Sequence, residues 1–185
     1  DRRLPLAESK IGKYPHQMLM KVDFPVYIGN INIENIKVIY EEMNPKTGKV
    51  GKIEFDKVNG KIENITNMPG RFSVNPFIDI NVSSNFLNTV PLEAKFRFDM
   101  SRVNNGVFSV DAVLGKINGN TLNQITEPLA LVKVNSLEVK KFTAHIDGTD
   151  NNATGKISFD YKDLNIDILK KKDDGKMKKR GFLTF

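Results

Sequence analysis

The chain has 185 residues, 39% hydrophobic and 27% charged, and this length and composition support one globular domain rather than a disordered segment. It contains no cysteine, which excludes disulfides, thiol catalysis and thiolate zinc sites. The net charge of +6 is concentrated, because the seven basic and two acidic residues from Lys170 to Arg180 carry +5 of it, so the rest is nearly neutral and no nucleic-acid partner is expected.

The first 25 residues read as a lead-in. It opens abruptly on "DRRLPL" with no signal peptide, and a short helix is expected within 14–22, after Pro15. The chain stops on the apolar cluster "GFLTF", and both ends read as cuts through a longer protein. No stretch approaches the ~20 apolar residues of a membrane-spanning helix.

Residues 26–169 read as a curved sheet. Four segments share one pattern, in which apolar residues alternate, two polar residues interrupt, and alternation resumes. They are Ile31, Ile33, Glu34-Asn35, Ile36, Val38, Tyr40; then Ile53, Phe55, Asp56-Lys57, Val58, Gly60, Ile62. Leu137, Val139, Lys140-Lys141, Phe142, Ala144, Ile146 is the third, and Phe159, Tyr161, Lys162-Asp163, Leu164, Ile166, Ile168 the fourth. Strict alternation through each polar pair would send the two halves to opposite faces. A β-bulge restores the facing and bends the strand, whereas a tight turn would call for Asn-Gly or Asp-Gly. The residue choice favours bulges, hence long bent antiparallel strands.

Between the second and third of these, "LEAKFRFDM" alternates cleanly. Leu92, Ala94, Phe96, Phe98 and Met100 share one face; Glu93, Lys95, Arg97 and Asp99 share the other. Asn104-Asn105-Gly106 then signals a turn into "NNGVFSVDAVLG", so the two predict an antiparallel hairpin. "NGNTLNQITEPLALV" predicts a second helix, capped at Asn120 or Thr121, stopping before Pro128 and burying Leu122 and Ile125. Residues 147–155 predict a loop. Residues 170–181 predict a basic loop turning at Asp173-Asp174-Gly175. The fold class is therefore mainly β: a curved, bulged antiparallel sheet, folded over or groove-like, with one or two short helices.

No catalytic constellation emerges. His16 and His145 lie far apart in sequence with no convergent ligands, so no metal and no cofactor is expected. Nucleophile elbows, P-loops and dinucleotide fingerprints are absent. Glu41 and Glu42 are neighbours in a strand, so they point to opposite faces and cannot form an acid/base pair. The phenylalanines keep company with Ile and Leu rather than with basic residues, unlike a stacking platform for nucleic acid. The expectation is a non-enzymatic protein.

Several stretches, "YPHQMLMKVDFPVYIGNINIENIKVIYEE", "GKIEFDKVNGKIENITN", "LNQITEPLALVKVNSLEVKKFTAHIDG" and "NNATGKISFDYKDLNIDILKKK", resemble AsmA-family envelope proteins of Bacteroidetes type. The resemblance covers most of the chain and rests on strand and turn patterns. It implies the C-terminal periplasmic part of a longer protein, anchored to the inner membrane through a segment outside these residues. It also implies a role in outer-membrane biogenesis or lipid handling, with lipid or envelope proteins as partners. No catalytic residues come with it.

Two short helices cannot cover so many one-sided strands, so the apolar face must fold over a dry core or receive something else, lipid included. Phe96, Phe98, Ile157, Phe159, Tyr161, Leu164 and Ile166 are the expected groove-lining or core residues. Lys170, Lys171, Lys172, Lys178, Lys179 and Arg180 are the candidate contacts to an anionic surface, with a solvated loop as the favoured reading of that stretch.

Overall fold

The computed structural model describes residues 11–45, 47–171 and 177–184. Helix α1 spans Pro15–Leu19. Strands β1 (Tyr27–Met43) and β2 (Val50–Thr66) form a long hairpin, and a helical turn α2 (Pro69–Phe72) leads to β3 (Phe77–Phe86) and β4 (Val90–Asp99). A 3₁₀ segment (Met100–Asn105) connects to β5 (Phe108–Leu114) and the two-residue β6 (Ile117–Asn118). A helical segment follows: a 3₁₀ turn (Gly119–Leu122), a single α-turn α3 (Asn123–Ile125) and a π-turn (Thr126–Ala130). The second long hairpin, β7 (Val132–Gly148) and β8 (Ala153–Lys171), and the edge strand β9 (Met177–Thr184) complete the described chain.

The strands form one open nine-stranded sheet in the order β1-β2-β3-β4-β5-β7-β8-β9, with β6 paired to β7 off that path. Every pairing is antiparallel, and the sheet does not close into a barrel.

All four polar pairs coincide with register slips. From Ile33 to Ile36, β1 uses one residue more than β2, and Asn35 takes a left-handed φ of +51°. From Asp56 to Asn59, β2 uses one more than β3, and Lys57 has φ +51°. From Glu138 back to Ser136, β8 uses one more than β7, with Asp163 at φ +56°. Between Val139 and Lys141 the extra residue lies on β7. Each slip keeps the following apolar residues on the face of the preceding ones and bends its strand. Asn and Asp tolerate the left-handed region better than other non-glycine residues; across the strand pair the Asn35 main-chain N–H donates to Asn59 Oδ1 at 2.9 Å.

The predicted hairpin "LEAKFRFDM" to "NNGVFSVDAVLG" forms, with Phe98 opposite Phe108. Its turn is wider than a two-residue one. Asp99 accepts hydrogen bonds from Ser101 and Arg102 N–H, and Gly106 ends the 3₁₀ segment at φ +64°, a conformation the Asn-Asn-Gly signal anticipates.

Four boundaries differ from the sequence expectations. The first helix is shorter than 14–22, with Pro15 at its first turn. The second begins earlier, where the Asn118 side chain accepts from Asn120 N–H at 3.1 Å, and it runs through Pro128 to Ala130 instead of stopping before it. The wider π-turn accommodates the proline, which supplies no N–H. The basic stretch 170–181 is not one loop: Lys170 and Lys171 end β8, while Lys178, Lys179 and Arg180 belong to β9. Backbone pairing outweighs charge here because long side chains carry their charge out to solvent. Lys172 and the Asp173-Asp174-Gly175 turn centre lie outside the described residues. The 147–155 loop is likewise tighter than expected, closed by Thr149 N–H to Asn152 carbonyl at 2.8 Å.

The core forms two clusters at opposite ends of the apolar face. Val90, Ile117, Val134, Leu137 and Val139 make one, roofed by Leu122 of the helical segment. Ile78, Phe98, Met100 and Val103 make the other, covered by Leu19, Met20 and Phe72. The helical segment also spans from β7 to the first hairpin. Asn123 clamps the Val134 backbone through both its amide atoms, at 2.7 and 2.9 Å. At the far end Asn44 Nδ2 donates to the Leu129 carbonyl at 2.9 Å, and the Leu129 side chain sits where a Cβ on Gly51 would go, 2.5 Å away.

Lys57 holds its left-handed backbone without the local bonding that Asn or Asp provides. Lys57→Val should lower unfolding free energy by about 1–2 kcal/mol, since a β-branched side chain clashes there, while Lys57→Gly should not destabilise. Urea midpoints at constant slope check this.

Candidate functional site

Directly paired residues of antiparallel strands project to the same face, so the register maps the apolar surface row by row. One row runs Ile31, Ile62, Ile80, Phe96, Val110, Ile146 from β1 to β7. The next runs Ile33, Gly60, Val82, Ala94, Ala112, Ala144 and, on β8, Ile157. A third carries Leu92, Leu114, Phe142 and Phe159.

The seven residues expected to line this face are all on it but divide by depth. Phe98 is buried in a core cluster, and Phe96, Leu164 and Ile166 pack half-buried against the clusters. Ile157, Phe159 and Tyr161 stay open along β8, Ile157 at 63% exposure. Their rings form a run, with Phe142 edge-on to Phe159 at 6.1 Å and Phe159 against Tyr161 at 5.1 Å. On the opposite flank of the same face Ile31, Ile36, Val38 and Tyr40 of β1 are also exposed, Tyr40 at 51%. Sequence reasoning placed these β1 residues on an apolar face but did not single them out. Their exposure follows from β1 being an edge strand, which alternation does not encode.

The other face is polar and internally paired. Arg97 grips Asp79 through two nitrogens at 2.7 and 3.2 Å. His145 Nδ1 meets Asp111 at 2.7 Å and Nε2 meets Asp147 at 3.1 Å. These bonds, with the attraction of both carboxylates, raise its pKa above the usual histidine value. Both ring nitrogens are occupied by acids, so the ring has no free edge for a nucleophile. Among the described residues no group of His, Asp and Glu converges as a metal site.

Two ionisable groups are shifted by their neighbours, one through hydrogen bonds and one through burial. Glu54 takes hydrogen bonds from Lys52, Asn88 and Lys37, which hold its carboxyl down at about 2. It ties both strands of the first hairpin to the β3–β4 turn, where Leu87 N–H also donates to the Glu54 carbonyl at 2.7 Å. His16 of α1 is 1% exposed and stacks on Phe98 with ring centroids 4.9 Å apart. Neither of its ring nitrogens has a hydrogen-bond partner among the described residues. Burial lowers its pKa, outweighing the attraction of Asp150 and Asp99.

Of the candidate anionic-surface contacts, Lys170 and Lys178 face each other across β8 and β9. Lys179 pairs with Asp167 and also lies over the Phe182 ring. The Lys171 side chain and Lys172 lie outside the described residues.

No family model, curated protein or solved structure matches this chain.

A base buried neutral favours the folded state only above its unfolded pKa, so the His16 contribution is present above about 6.5 and lost as pH falls below it. His16→Phe should keep the stack on Phe98, remove two unpaired nitrogens and stabilise by about 1 kcal/mol at pH 7. The gap to wild type should widen at pH 5 in urea titrations. For Glu54 the folded pKa is the depressed one, so its stabilisation is lost between about 4.5 and 2. Glu54→Gln should be less stable than wild type at pH 7, and the difference should shrink across that acid window.

Proposed function

We propose that this chain is a non-enzymatic, AsmA-like envelope module that handles lipid on the open flanks of its apolar sheet face. The observation that carries the reading is the pair of exposed apolar columns, Ile31, Ile36, Val38 and Tyr40 on β1 and Ile157, Phe159 and Tyr161 on β8, which lie on the same face as the core. The core clusters fill the two ends of that face and leave its flanks bare. Acyl chains are a fitting cover, each buried CH₂ contributing ~0.8 kcal/mol without needing a polar partner. Periplasmic location and an inner-membrane anchor outside these residues belong to the same proposal and rest on the sequence resemblance; no helix of the described residues is long and apolar enough to cross a membrane. Lys170 and Lys178, adjacent on β8 and β9, would offer charge to anionic headgroups at ~1 kcal/mol each near a surface.

A second reading is favoured by the closed ends: a protein-interaction module whose core is self-filled and whose long edge strands bind envelope proteins. The two readings part on ligand content. Native mass spectrometry of protein extracted from membranes should find co-bound lipid under the first reading and none under the second. A fluorescent fatty-acyl probe should lose at least tenfold in affinity with Ile157→Asp plus Phe159→Asp, with circular dichroism checking that the sheet survives loss of the Phe159 ring contacts. Unchanged probe binding would refute the lipid reading.

A further inference from the structure

We propose that β9 of one copy of this chain pairs with β1 of a second copy, in an antiparallel register that sets Leu183 against Val38 and Lys179 against Glu41. The inference does not depend on whether the apolar face takes lipid.

Strand direction permits it first. Eight strands lie on the main path and every neighbouring pair is antiparallel, so β1 and β9 run in opposite senses. A second copy displaced sideways, without inversion, therefore brings its β1 antiparallel to the first copy's β9.

Facing agrees next. Leu183 pairs with Ile166 and Val38 with Phe55, so both lie on the apolar face. Phe182 pairs with Asp167 and Ile39 with Glu54, so both lie on the other. Setting Leu183 against Val38 thus sets Phe182 against Ile39. All four are large exposed hydrophobics, Phe182 at 67%. Among the described residues no strand pairs with the outer edge of β1 or β9.

Charge agrees last. The β8–β9 register slips so that β9 uses one residue more between Gly181 and Lys179, which leaves Arg180 as the extra one. Counting past it in the proposed pairing, Lys179 falls opposite Glu41 and Lys178 opposite Glu42. Cross-strand pairs of opposite charge stabilise, and like charges directly opposite destabilise. Two β9 edges would set cations against cations, and two β1 edges in this stretch would set acids against acids, so the charges select the unlike pairing. The pairing ends near Lys37, opposite Thr184, just short of the Asn35 bulge that turns the strand. Main-chain hydrogen bonds then add a strand to each edge, as in β-augmentation. The contact is head-to-tail and leaves one free β1 and one free β9 edge at the ends of every assembly, so it propagates.

Sedimentation velocity on the 185-residue chain tests this. The weight-average mass should rise with concentration and fall back with added salt. Glu41→Lys plus Glu42→Lys in one variant, and Lys178→Glu plus Lys179→Glu in another, should each stay monomeric. An equimolar mixture should regain the assembly, since each variant's edges then match the other's. Because Lys179 also pairs with Asp167, circular dichroism checks the second variant; if it unfolds, the single swaps Glu42→Lys and Lys178→Glu replace the doubles. Ile39→Cys with Phe182→Cys, in a chain with no other cysteine, should oxidise to a ladder of covalent dimers and higher species. A wild type monomeric at all concentrations would overturn the proposal and assign the cations and the Arg180 bulge to edge protection. A mixture that fails to reassemble would overturn it too. So would cross-linking confined within single chains, which would mean that the sheet closes on itself.

Discussion

A strand of seventeen or nineteen residues cannot keep one face apolar and also curve unless something breaks its period of two. The rest of this molecule depends on how that constraint is met. One inserted residue at each of five places, Asn35, Lys57, Asn135, Lys140 and Asp163, preserves facing on both sides of the interruption and bends the long hairpins; the sequence pattern marks all of them but Asn135. Without the Asn35 insertion, Ile36, Val38 and Tyr40 would turn to the polar face and break up the charge network around Glu54. The same holds for Leu164 and Ile166, which would leave the cluster around Val139. The bulges are thus a condition for having a core at all.

Much of this was written in the sequence because parity is a local property. The double-polar interruptions predicted the four bulges, and the uninterrupted alternation of Leu92 to Met100 predicted a regular central strand, which is what β4 is. What parity does not carry is which strands end up at an edge. Ile157 and Phe98 obey the same alternation, yet one is open and the other buried, because depth depends on what packs above each strand. The helix boundaries failed for a related reason. Pro128 is a stop signal for an α-helix, but the chain there makes a π-turn held between the Asn123 clamp on the Val134 backbone and the Asn44 contact from the first hairpin. His16 gave no sign of burial; the packing of its face of α1 follows from the Phe98 ring and the 3₁₀ segment, neither near it in sequence.

The two faces manage polarity differently. On the polar face, acids and bases are paired mostly strand to strand: Arg97 with Asp79, His145 with Asp111 and, along its own strand, Asp147, and Lys162 with Glu138. Exposed pairs of this kind contribute little stability, a median of about 0–1 kcal/mol, but they leave few like charges opposed across neighbouring strands. The apolar face is finished only at its ends, where α1, α2 and the Gly119–Ala130 segment supply covers. The result is a sheet with settled electrostatics on one side and uncovered hydrocarbon along both flanks of the other.

Strand order follows chain order from one edge of the sheet to the other, with only the two-residue β6 off the path. Each long strand therefore bonds to its nearest long neighbours in the chain, and the Gly119–Ala130 segment is the connection that reaches across, from β7 to the first hairpin. Such a meander grows like a row of tiles. A further strand added beside β9 would ask nothing of the pairings already laid, as in solenoid proteins where each unit touches only its neighbours, whereas loss of the first hairpin would take away the seat of Leu129 on Gly51. Width is then the dimension in which this architecture varies most cheaply, while strand length stays tied to the placement of the bulges and the two covers.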